Sequence, residues 1–145
     1  MDARIGLERW LEPLLAKLEP QAKRTLTRQI AQALRLRFKD RIAQQKDPDG
    51  IAFVPRKRNQ IGNIKRQGAM FQRLPRQLKI RYTKDQAEVG FAGRDAFVAK
   101  VHQQGLTIRP SQKSRPTQYA VRKLVGFGKE DEEWVLEIMN KYFYD

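Results

Sequence analysis

An apolar residue at every fourth position, Ala22, Leu26, Ile30, Leu34, Phe38 and Ile42, constrains this chain more than any other feature. Side chains four apart stay near one face of an α-helix, so the run predicts a single long amphipathic helix opened by Pro20. Lys23, Arg24, Arg28, Arg35, Arg37, Lys39 and Arg41 fall on its other sides and predict a basic outer face. Asp47-Pro48-Asp49-Gly50 fits a type I turn, with proline pre-set at the second position and glycine at the fourth, and stops the helix. Upstream, Leu7, Trp10, Leu11, Leu14, Leu15 and Leu18 recur at three- and four-residue spacing. They predict a helix that packs on the long one, either kinked at Pro13 or beginning near Glu12.

Beyond the turn, Ile51 to Val54 has strand character, but Pro55 and the polar run after it point to an exposed loop. Gly68 to Leu74 reads as a short helix through Met70 and Phe71, ended by Pro75. Alternation follows: Leu78, Ile80 and Tyr82 on one face, Lys79, Arg81 and Thr83 on the other, then a turn and Ala87, Val89 and Phe91. This is a β-hairpin with one buried side. Asp95 is the expected N-cap of a helix over Ala96 to Gln104, crossing the hairpin with Phe97, Val98 and Val101 inward and Gly105 as its stop. Thr107 to Arg109 and Gln118 to Arg122 are expected edge strands around "PSQKSRPT". Glu130 to Glu133 then open a terminal helix where the positive end of its dipole favours acids. The whole predicts one α+β domain over residues 1–145: N-terminal helices packed with a small antiparallel sheet, plus an acidic C-terminal helix.

Charge narrows the function. Thirty Lys and Arg against 16 acids leave +14, which calls for an anionic partner, nucleic acid or acidic protein surface. From Lys129 onward, however, six acids oppose two lysines. A basic body with an acidic terminal helix can dock head to tail on copies of itself. The absence of cysteine removes disulfides, zinc thiolates and thiol nucleophiles. No apolar run approaches the ~20 residues of a membrane-crossing helix. The N-terminus lacks the features of a secretion signal, so a soluble protein made in the cytoplasm is expected.

Catalytic chemistry is poorly supplied. His102 is the sole histidine, Ser111 and Ser114 sit in a loop, and no second metal ligand accompanies the imidazole. His102 is read as a structural residue near a helix C-terminus. "GFG" at Gly126, Phe127 and Gly128 is a fragment of a phosphate-binding pattern and reads better as a turn. No catalytic residue, metal or cofactor is expected. Two acid-free basic segments remain, Arg56, Lys57, Arg58, Lys65 and Arg66, then Arg109, Lys113, Arg115, Arg122 and Lys123. Neither "PRKRNQIGNIKRQ" nor "IRPSQKSRPT" contains an aromatic for base stacking, so any contact with DNA falls on backbone phosphates. Residues 55–67 and 109–117 are expected to be mobile basic loops.

Taken in order, "RIAQQKDPDGIAFVPRKR", "GAMFQRL", "VHQQGL" and "QYAVRKLVGF" before an acidic helix resemble the tail completion protein S family of contractile-tailed phages, within the phage virion morphogenesis proteins. The match runs along nearly the whole chain. It departs at Lys123, where family members tend to have proline after the arginine, which implies a looser turn into the last helix. The resemblance implies a structural protein of the virion neck, added when the tail tube stops growing, that makes the tail competent to join a DNA-filled head. By analogy with neck proteins it implies a homo-oligomeric ring contacting the tail tube or terminator and the head connector, with possible DNA contact in the channel and no membrane. The virion, and the host cytoplasm during assembly, are the places it implies. Arg56, Lys57, Arg58, Lys65, Arg66, Arg109, Lys113 and Arg115 are the candidate partner or DNA contacts. Pro48, Asp49, Gly50, His102, Gly105, Arg122, Gly126 and Phe127 are the candidate fold-holding motif. The rival reading is a free nucleic-acid-binding protein that uses the same arginines on phosphates.

Overall fold

The computed structural model describes residues 2–4, 18–56 and 69–144, with side chains described for 18–56 and 69–142. The expected first helix, Leu7 to Leu15 with Pro13, and the basic residues Lys57, Arg58, Lys65 and Arg66 lie outside the described residues.

The four-residue repeat forms α1 (Pro20–Ala43), with proline in its first turn, where a missing N–H costs no hydrogen bond. Leu26, Ile30, Leu34, Phe38 and Ile42 are fully buried, as is Ala31 beside them. Burying each of the large ones stabilises the fold by about 1.5–3 kcal/mol. This apolar face lies on a three-stranded antiparallel sheet of β1 (Asp2–Arg4), β2 (Lys79–Tyr82) and β3 (Ala87–Gly90), ordered β1-β3-β2. The expected hairpin is present, with Ile80 opposite Val89 and Tyr82 opposite Ala87. Its returning strand is central: β1 pairs along the other edge, and all four residues of β3 are buried. Glu88, 8% exposed, therefore stands in register with Arg81 on one side and Arg4 on the other.

The expected helix over Gly68 to Leu74 is not formed. Phe71 takes φ +61°, outside the right-handed helical region, and a 3-10 turn follows at Leu74–Gln77 with Pro75 at its start. Proline thus opens the turn where it was expected to end a helix. The next helix, α2 (Gly93–Gln104), begins before Asp95, so that carboxylate sits in the first turn and Ala92 occupies the cap position. Phe97 and Val98 point outward, at 53% and 37% exposure, while Ala99 and Val101 are buried. Apolar side chains lie on several sides of this short helix, and the small Ala99 allows the closer approach to the core. Gly105 does close the helix, at φ +63°, and a Cβ there would stand 2.8 Å from Val121.

The late strands are shorter than expected and join no larger sheet. β4 (Thr107–Ile108) and β5 (Thr117–Gln118) pair only with each other. The second ends at Gln118, after which the chain runs on antiparallel past the end of α2, Tyr119 N–H donating to the Leu106 carbonyl at 3.1 Å and Arg122 N–H to the His102 carbonyl at 2.7 Å. α3 (Lys129–Tyr144) packs Val135 and Met139 into the core, with Trp134 and Ile138 beside them. No described helix is long and apolar enough to cross a membrane.

Candidate functional site

The motif residues gather at two joints. At the first, Asp47 folds the turn: its carbonyl accepts from Gly50 N–H at 3.0 Å and its Oδ1 accepts from Asp49 and Ile51 N–H, each at 2.9 Å. Pro48 then presses on the "GFG" segment. A Cβ on Gly128 would lie 2.0 Å from the Pro48 carbonyl oxygen, and one on Gly126 2.8 Å from the proline ring. These glycines are required for close approach between two turns.

Asp131 closes this joint. Only 2% exposed, it accepts from Arg37 Nε at 2.9 Å, Arg41 Nη1 at 2.8 Å and Gly128 N–H at 2.9 Å. Arg41 also donates to the Gly126 carbonyl at 3.1 Å. Burial pulls the Arg41 guanidinium below its ordinary pKa, and the Asp131 carboxylate acts against that. The acidic start of α3 is thus divided: Asp131 holds the fold, while Glu130, Glu132 and Glu133 are exposed.

The second joint holds the start of the basic segment. Arg122, 6% exposed, donates through Nε to the Val54 carbonyl at 2.8 Å and through Nη2 to the Pro55 carbonyl at 3.2 Å. Its Nη1 lies 3.3 Å from His102 Nδ1. A guanidinium only donates, so His102 Nδ1 accepts and the imidazole is neutral. Burial first, and the Arg122 charge second, push the His102 pKa down to about 4. Burial likewise lowers Arg122, with the charge of Arg56 adding to it. Phe53, Phe71, His102 and Tyr119 form a chain of edge-to-face rings, with centroids 5.7, 4.7 and 5.1 Å apart. Arg56 Nη2 donates to the Ala69 carbonyl at 3.3 Å, tying together the residues that flank 57–68.

Two glutamines that sequence reading passed over complete the frame. Gln45, at φ +62° after α1, donates to the Met70 carbonyl and accepts from Met70 N–H, at 2.9 and 2.8 Å. Gln103 donates to the Val125 carbonyl and accepts from Leu124 and Val125 N–H, so the backbone just after Lys123 is tied down. They lie inside the quoted stretches "RIAQQKDPDGIAFVPRKR" and "VHQQGL", which was their one signal. Phe127 packs at the edge of the core.

The remaining candidates are displayed. Arg109, Lys113 and Arg115 are exposed on the β4–β5 connection, where Ser111 and Ser114 bond to each other through their hydroxyls at 2.7 Å. Among the described residues no group of three or more His, Asp or Glu side chains could hold a metal. The basic outer face of α1 is reduced as well. Arg35 donates to the Leu78 carbonyl at 2.7 Å, Arg37 and Arg41 serve Asp131, and Arg28 and Lys39 are exposed.

The chain matches the phage virion morphogenesis family over residues 3–144. It is 35% identical over 136 residues to the tail completion protein S of Escherichia phage P2, covering 89% of each chain. No solved structure matches it. With the family match spanning both joints and the three described helices, the chain belongs to the phage virion morphogenesis family.

Proposed function

We propose that this chain is a non-catalytic structural protein that completes a phage tail and makes it competent to join a head, acting as a ring at the virion neck. The name of the P2 relative supports tail completion. The observation that carries the reading is the division of charge. Arg37, Arg41, Arg122 and Asp131 are spent within the fold, while Arg109, Lys113 and Arg115 and the acids of α3 are displayed for partners. The rigid joints present these surfaces, apolar anchors supply affinity, and the charges set register. Its partners are further copies, the tail tube or terminator, and the head connector, met in the host cytoplasm and kept in the virion. His102 is engaged by Arg122 and neutral at pH 7, which suits a frame better than a catalyst.

Silencing the gene and imaging the lysate tests this. Full heads beside detached, overlong or unstable tails are expected, and normal particles overturn the proposal. A second reading, contact with DNA phosphates, is favoured by the acid-free tip carrying Arg109, Lys113 and Arg115. It requires retention on duplex DNA that falls steeply with salt as counterions are released. Retention independent of salt, or none at low salt, removes it.

A further inference from the structure

We infer that the groove beside α2 receives the outward face of α3 from a second copy of this chain, so that subunits join head to tail. This contact rests on the ring reading above and names its two surfaces. Val98 lines a groove of about 740 Å³ together with Phe71, Leu74, Gln77, Arg73 and Asp95. Phe97, next to Val98 in sequence, is more than half exposed. Arg73 is exposed in the lining, and Arg94 is exposed one helical turn before Val98. The result is a slot part apolar, through Phe71, Leu74 and Val98, and part polar, in which Arg56 and Arg73 outnumber the single lining acid, Asp95.

The complementary surface lies on the same chain. Val135 and Met139 fasten α3 to its own core, which turns Leu136 outward at 45% exposure. Glu132 and Glu133 stand one turn before it and Glu137 beside it, all exposed. This is an apolar knob in an anionic field, opposite in sign to the arginines of the groove. The 16 residues of α3 extend about 24 Å. A helix seated in a groove takes its affinity from anchors such as Leu136 and its register from the surrounding charges. Because groove and helix are different surfaces, every subunit offers both, and the contact propagates until it closes.

Sedimentation of the full chain with Val98→Asp and with Leu136→Asp tests the contact. Both positions are exposed, so both variants should melt with the wild type. The wild type should sediment above monomer, less so as salt rises. Each variant should weaken self-association at least about tenfold, as loss of a central anchor does. Mixed in equal amounts, the two should form a 1:1 dimer and stop, since Val98→Asp keeps an intact α3 and Leu136→Asp an intact groove. Variants that assemble as the wild type does, a mixture that stays monomeric, or a wild type that is monomeric at its highest soluble concentration would each overturn it. A monomeric wild type that still restores tails removes this contact and leaves the neck function standing. A self-assembling chain that its phage does without does the reverse.

Discussion

Arg115 and Arg122 belong to one acid-free basic stretch, yet the fold gives them opposite work. Arg115 is exposed on the β4–β5 connection, whereas Arg122 is buried with two backbone carbonyls and an imidazole around its guanidinium. The same division separates Lys39 from Arg41 on α1. Net charge therefore overstates the binding surface, since part of +14 is consumed in tying one segment to another. A buried acceptor decides which cation is structural.

If that division holds, removing a shared acceptor does the greatest harm. Asp131→Ala leaves Arg41 largely buried beside Arg37 without their carboxylate, and should cost roughly 3 kcal/mol in urea unfolding. That is the low end for buried pairs, because Arg37 is 31% exposed and solvent screens it. A change under 1 kcal/mol would place Asp131 among the surface acids. Arg122→Ala comes next, at about 2 kcal/mol, since the Val54 and Pro55 carbonyls lose charged donors. Hydrogen exchange should rise around residues 53–56, and unchanged protection there would break the comparison.

The pH dependence of His102 is smaller. Its folded pKa of about 4 lies below the ordinary 6.5, so between those values the unfolded chain binds a proton that the folded chain does not. Stability is full above pH 6.5 and falls as pH drops through 4, by about 1–2 kcal/mol after allowance for the ring's partial exposure. His102→Gln should flatten that part of the pH profile, and an unaltered slope would assign it to other groups. Smallest of all is the effect of neutralising the exposed tip. Arg109→Gln, Lys113→Gln and Arg115→Gln together should move the unfolding free energy by no more than about 0.5 kcal/mol.

The elements with strong local patterns were legible: α1 from its four-residue repeat, the hairpin from alternation, α3 from its acidic start. What was not legible depends on distant partners. Three residues, Asp2 to Arg4, carry too short a pattern to announce a strand, and only β3 as a neighbour makes them one. In α2, apolar residues at 96 to 99 and 101 define no single face, so Phe97 and Val98 could be assigned inward when the core took Ala99 instead. Phe71 adopts its positive φ beside Phe53 and His102, contacts that no local pattern encodes. Within the candidate site, the turn, Gly105 and the motif boundaries could be read. The sorting of arginines could not, because Arg41 finds Asp131 ninety residues away.

The division of labour between buried and displayed cations is tested most directly by complementation. Tails from a lysate lacking the chain are mixed with heads and with either wild-type protein or the form neutralised at 109, 113 and 115, and infective particles are counted. The neutralised protein should melt with the wild type yet restore few particles. Equal restoration by both would contradict an assembly role for those exposed cations.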